Sequence, residues 1–163
     1  MKNFEIVRIF REIAYLIQIA ENDPNTIYKV RAYEKAADVI EKLTVGLEEI
    51  YLKNGIQGLR KIPSIGNAIS LKIEEFIKSH KIDYHQELTK KIPLKISEFY
   101  NMRGLGPKTI KILYEKLKIT SISDLEKAAS EGRIAKLKGF SKMKEENILR
   151  TIQLSKKNKT RYL

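Results

Sequence analysis

Cysteine and tryptophan are absent from the 163-residue chain, and only two histidines occur, His80 and His85. Without cysteine there are no disulfides and no thiolate-held metals, and two histidines alone cannot complete a zinc shell. The same absence fits a reducing, intracellular setting. No apolar run reaches the roughly 18 residues that a membrane-spanning helix needs. The opening stretch, Met1 to Phe10, lacks the form of a secretory signal. The expectation is a soluble cytoplasmic protein with no membrane partner. Period-two alternation is also missing, so no segment reads as a convincing strand. The length allows one domain or two small ones, with core enough to fold unaided.

Positive charge is what the chain has in excess. The formal net charge is +12, with an isoelectric point near 9.7. Its distribution is uneven. Residues 1–85 hold 13 Lys/Arg against 12 Asp/Glu, whereas residues 86–163 hold 19 against 8. A surplus packed into one half suits a polyanion, because each lysine or arginine at a phosphate releases a condensed counterion. A solvated, lysine-rich surface is the other reading that charge alone allows.

Three- and four-residue spacing of apolar side chains runs nearly end to end, which makes the fold all-α. Phe4, Val7, Phe10, Ala14, Ile17 and Ala20 mark a first helix. Asn22-Asp23-Pro24-Asn25 breaks it, and Asn25 is placed to cap a second helix over about 26–43, with Val30, Tyr33, Ala37 and Ile40 on one face. Gly46 and Gly55 bracket a short helix near 47–53, and a later one is expected over about 94–101. Ser123 with Glu126 reads as a capping box before a helix near 124–131 that Gly132 ends. The polar stretch Ser79 to Leu88 suggests a boundary, giving two small helical domains over residues 1–82 and 83–163.

A local device recurs across that boundary. Ile62-Pro63-Ser64-Ile65-Gly66 opens one helix and Met102-Arg103-Gly104-Leu105-Gly106-Pro107 opens another. The glycines permit a tight turn with positive φ and strip side chains from the surface, and Pro107 suits a first helical turn. Backbone N–H groups then face outward at the positive end of the helix dipole, a ready site for phosphate without base readout. Arg60 and Lys61 precede the first opening; Lys108 and Lys111 follow the second. The alternative is an ordinary helix corner. Ser64, standing where the second copy has Gly104, is less at ease with positive φ and predicts a looser first hairpin. A third echo, Leu137-Lys138-Gly139-Phe140-Ser141, has serine in place of the second glycine and reads as a core corner.

Lys72 falls on an apolar arc formed by Ile65, Ala68, Ile69, Ile73 and Phe76. A lysine desolvated there would expose a neutral amine, the form that attacks an aldehyde. A lysine whose stem covers core while its ammonium reaches water is the competing picture.

Taken together, these motifs resemble the amino-terminal half of a family X (DNA polymerase beta-like) polymerase, over nearly the whole chain. Ile27 to Ala37 is similar to a helix of that family's small lyase domain, Ile62 to Phe76 to its first helix-hairpin-helix, and Met102 to Tyr114 to the second. Asp124 to Ile152 is similar to the end of the duplex-binding subdomain. The resemblance implies binding at gaps, nicks or 5′-phosphorylated ends in DNA repair, with a nucleoid-associated location. It implies a sodium or potassium ion at the carbonyls of Arg60, Ile62 and Ile65, and another at those of Tyr100, Met102 and Leu105. It also casts Lys72 as a lyase nucleophile, Lys29 and Arg60 as 5′-phosphate contacts, Tyr33 and Lys35 as pocket residues, and Tyr28 as a base-stacking ring.

The chain departs from the pattern at two places. Ala68 stands where a lysine is expected, which removes a phosphate contact, and Leu71 stands where an acidic residue is expected. No Asp-x-Asp pair occurs, so the carboxylate cluster that holds two magnesium ions for nucleotidyl transfer is missing. The sequence therefore points to DNA binding with no required cofactor and no polymerase activity by itself. Two alternatives stand beside it: an abasic-site or 5′-deoxyribose phosphate lyase acting through Lys72, and an adaptor or split subunit that recruits a separate palm chain.

Overall fold

The computed structural model describes the backbone of residues 3–100 and 102–161, with side chains as far as Lys157. Tyr162 and Leu163, at the end of the expected second domain, lie outside the described residues. Among these residues the protein is all-helical, as its spacing predicts, and no helix is long and apolar enough to cross a membrane.

Two compact units divide at Ile92 and Pro93. The first is built round α1 (Asn3–Ala20), whose Ile6, Phe10, Ile13, Leu16 and Ile17 have no solvent exposure. A helix apolar on most sides belongs inside, and its neighbours wrap it. α2 (Thr26–Glu41) buries the expected Val30, Tyr33, Ala37 and Ile40. α3 (Leu47–Arg60) runs well beyond the short helix expected at 47–53. It does so across a break at Gly55, whose φ of 66° and ψ of −160° are left to glycine. α4 (Asn67–Ser79) and α5 (Asp83–Lys91) complete this unit.

The compact units divide ten residues beyond the boundary expected at 82/83. The polar stretch that suggested that boundary forms a helix packed on α1. Leu88 is buried, His85 Nε2 lies 2.9 Å from Glu12 Oε1, and Tyr84 donates to Glu21 Oε1 at 3.2 Å. Its polar residues face water while every third or fourth side chain turns inward, a pattern too short to stand out.

The second unit holds α6 (Ile96–Phe99), α7 (Pro107–Leu117), α8 (Ile122–Ser130) and α9 (Lys142–Arg161). α6 is four residues rather than the eight expected at 94–101. Phe99, Ile110, Leu113, Leu125, Ala128, Ile134 and Ile152 are fully buried and form its core.

Two caps also differ from expectation. Asn25 makes no side-chain cap; the Asp23 carboxylate instead accepts from the Asn25 N–H at 2.9 Å. The cap of α8 is Ser121 rather than Ser123, its Oγ accepting from the Asp124 N–H at 3.2 Å. Asp124 reaches back to the Thr120 N–H at 3.1 Å, and this backbone bond holds its carboxyl below the usual carboxylate range. Gly132 does end α8 as expected, left-handed at φ 74°.

Candidate functional site

Three segments follow one backbone path. In the first, the Ile62 N–H donates to the Leu59 carbonyl and the Ile65 N–H to the Ile62 carbonyl, both at 3.1 Å. In the second, Met102 donates to Phe99 at 3.1 Å and Leu105 to Met102 at 3.4 Å. In the third, Leu137 donates to Ile134 at 3.1 Å and Phe140 to Leu137 at 3.0 Å. The middle residue is left-handed each time: Ser64 at φ 68°, Gly104 at 78° and Gly139 at 86°. Ser64 thus adopts the bend of its glycine counterparts, and the looser first hairpin expected from serine is not seen. Leu59, Phe99 and Ile134, each fully buried, anchor the three turns to core.

Each turn delivers the chain to a helix cap, and here the copies part. Gly66 (φ −90°, ψ −168°) and Gly106 (φ −76°, ψ 173°) are extended. Any residue adopts those angles, so positive φ explains Gly104 alone and not the other two glycines. A Cβ at Gly66 or Gly106 would meet nothing within 4 Å. Neither backbone strain nor crowding inside the protein calls for glycine there. Among the described residues neither cap shows a side-chain bond to the first-turn N–H groups of α4 or α7, and both are exposed. What the missing side chains leave is open surface at two positive helix ends.

The third copy fills its own cap. Ser141 Oγ accepts from the Lys144 N–H at 3.1 Å, and the buried Glu145 carboxylate accepts from the Ala135 N–H at 2.8 Å.

Charged neighbours border the open caps. Lys61 and Lys108 are exposed, and Lys111 is half-buried. Arg60 Nε donates to Ser70 Oγ at 3.2 Å, and that fully buried hydroxyl donates in turn to the Asn67 carbonyl at 2.8 Å. The arginine is thereby held against the start of α4. The carbonyls of Arg60, Ile62 and Ile65 follow one another through the first turn, as those of Tyr100, Met102 and Leu105 do through the second. Such neutral oxygens are of the donor class that hard cations take.

A second cluster lies within the first unit. Lys72 is half-buried, at the edge of its arc rather than inside it, because Ala68 is exposed. Its Nζ sits 5.4 Å from the centroid of the Tyr84 ring, within cation–π range. The Tyr84 ring lies 6.4 Å from that of Tyr33, which meets Phe10 edge-on at 5.3 Å. Burial, and next the Glu21 carboxylate, push the Tyr84 phenol up to about 12. Burial raises Tyr33 as well, with Tyr84 and Glu75 adding to it.

Glu21 also accepts from Thr26 Oγ1 at 3.0 Å and pairs with Lys29 Nζ at 3.3 Å. Its burial opposes ionisation, but the bonds from Thr26, Lys29 and Tyr84 outweigh this and hold its carboxyl below the usual range.

The structure therefore brings Lys29, Tyr33 and Lys72 together through Tyr84 and Glu21, two residues the sequence reading did not single out. Lys35 stands apart. It is exposed and about 200° round α2 from Tyr33, so it does not line this cluster. Tyr28 is also exposed, with its ring free to meet a flat partner.

Repeated turn geometry and buried anchors define a tandem of helix-hairpin-helix elements. Residues 1–82 match the helix-hairpin-helix domain family, and residues 96–153 match the SAM-like helix-hairpin-helix tandem. The chain belongs to the helix-hairpin-helix domain family. It is 27% identical over 162 residues to the DNA polymerase/3′-5′ exonuclease PolX of Bacillus subtilis (strain 168), covering 99% of this chain and 27% of that protein. It is 33% identical over 125 residues to a DNA ligase of Clostridium botulinum (strain Eklund 17B / Type B), covering 75% of this chain and 18% of the ligase. The match thus spans about a quarter of the length of the polymerase and less than a fifth of that of the ligase.

Proposed function

We propose that this chain binds DNA through its phosphate backbone, without sequence preference, and favours gaps, nicks or 5′-phosphorylated ends. The observation that carries the reading is the pair of uncapped, open helix starts at Gly66 and Gly106. A phosphate oxygen there would receive backbone N–H bonds along a helix dipole, with nearby lysines adding counter-charge. The names of both relatives, a DNA polymerase and a DNA ligase, agree with such a role. The carbonyls of Arg60, Ile62 and Ile65, and of Tyr100, Met102 and Leu105, would hold any potassium or sodium ion, which would supply positive charge beside the phosphate.

Gly66→Val and Gly106→Val test this directly. Both sites are exposed and an added Cβ would meet no protein atom within 4 Å, so the fold should persist while the phosphate is blocked. Anisotropy titrations should show each variant binding duplex DNA on the order of tenfold more weakly, with unchanged thermal unfolding. Wild-type affinity in both variants would remove the reading.

A second reading has a specific observation behind it: the Lys72 ammonium beside Tyr84 in a half-buried cluster. In a lyase, the Lys72 ammonium would first give a proton to solvent, and the neutral amine would add to the C1′ aldehyde of an abasic sugar and lose water, giving an imine. Loss of a C2′ proton would then break the C3′–O bond and release the 3′ phosphate. Borohydride should trap wild-type protein on incised abasic DNA and fail to trap Lys72→Ala. Equal trapping of the two would reject the assignment.

A further inference from the structure

Counted from the left-handed residue of each turn, the fourth residue back and the sixth on are Arg60 and Ser70, Tyr100 and Ile110, and Ala135 and Glu145. The sixth position is buried in all three copies. In the first, Arg60 Nε donates to Ser70 Oγ at 3.2 Å; in the third, the Ala135 N–H donates to the Glu145 carboxylate at 2.8 Å. The Ile110 side chain has no polar atom to offer. Its burial shows that an apolar side chain packs at this position. A hydroxyl buried there costs free energy unless it is bonded, so packing does not account for Ser70.

Its bonds do. The one hydroxyl proton goes to the Asn67 carbonyl at 2.8 Å, which leaves the lone pairs to accept from Arg60. The Ser70 N–H donates to the Gly66 carbonyl at 2.9 Å, so the hydroxyl stands one turn from the open cap. Arg60 uses only Nε in this link. Among the described residues its two terminal nitrogens have no hydrogen-bond or ion-pair partner. A long cationic side chain loses rotamer freedom when it takes up a phosphate, and one already docked has less to lose.

We infer that Ser70 is a positioning residue, which pre-orients the Arg60 guanidinium for the phosphate that the Gly66 cap receives. The inference rests on the DNA-binding reading above and adds how the two open hairpins differ in their grip. The first holds a cation in place through a buried hydroxyl. The second, with Ile110 at that position, offers Lys108 and Lys111 without this link.

Anisotropy titrations of a labelled duplex DNA over a salt series test it. Ser70→Ala removes no charge, so it should weaken binding about fivefold and leave the slope of log affinity against log salt unchanged. Arg60→Lys keeps the charge but has no Nε, and should show the same loss. Arg60→Gln should weaken binding further and lower the slope by about one. The double variant Ser70→Ala/Arg60→Lys should bind no more weakly than Arg60→Lys alone, because both substitutions break one link.

A serine that only supported the helix would give a loss that adds to that of Arg60→Lys. Additive losses, or wild-type affinity in Ser70→Ala, overturn the inference. The DNA-binding reading stands in that case if Gly66→Val still binds weakly, and falls with it if Gly66→Val and Gly106→Val both bind as wild type does. Should Ser70→Ala fail to fold, Arg60→Lys decides: a loss at unchanged slope supports the link, and wild-type affinity overturns it.

Discussion

Single residues decide where the hairpins bend and where they stay open. Ser64 and Gly104 hold one left-handed position in two copies, and a side chain there costs about 1 kcal/mol. Gly104→Ala should therefore lower stability by about 1–2 kcal/mol in urea unfolding, although its Cβ would meet no neighbour. Asp124 gives a pH-dependent counterpart. Its carboxyl is held low, chiefly by the Thr120 N–H, so it adds stability above the unfolded carboxylate range that is lost as pH falls through its folded value. Asp124→Asn should unfold with less dependence on pH below about 4 than wild type, read by thermal melts in a pH series.

The residues of the hairpins were legible in the sequence because glycine, proline and the flanking lysines sit next to one another. Glu21 and Tyr84 were not legible. They meet across 63 positions of chain, and neither carries a local pattern.

At the level of helices, periodicity found α1, α2, α4 and α7 because each buries a regular stripe. It missed α5, where polar letters hide three inward side chains, and it misplaced caps that depend on which of two nearby serines turns back. α5 is part of the first unit's core rather than a tether. Leu88→Ala should cost about 2–3 kcal/mol, because the buried methyl groups leave a cavity against neighbouring helices. Chemical denaturation measures it, and a cost under about 0.5 kcal/mol would show that α5 is dispensable to that core. The Glu12–His85 pair joins the same two helices. Burial opposes ionisation of Glu12, but bonds from His85 and Arg8 more than compensate and keep its carboxyl low.

Across the whole molecule, the charge asymmetry read from the sequence persists, slightly softened, at the observed division. Residues 1–92 carry 15 Lys/Arg and 13 Asp/Glu, and residues 93–163 carry 17 and 7. The nearly neutral unit holds the carboxylate-centred cluster, and the basic unit holds most of the net positive charge. Lys108→Gln should reduce the slope of log affinity against log salt by about one. Lys53→Gln, beside Glu48 and Glu49 on α3, should leave that slope unchanged.

The open space at Gly66 and Gly106 has a practical corollary in a chain that contains no cysteine. Gly66→Cys or Gly106→Cys would place a unique thiol at the mouth of one chosen cradle without disturbing the interior. A bulky thiol reagent attached there would close one cradle at a time, and the affinity left would measure what the other supplies.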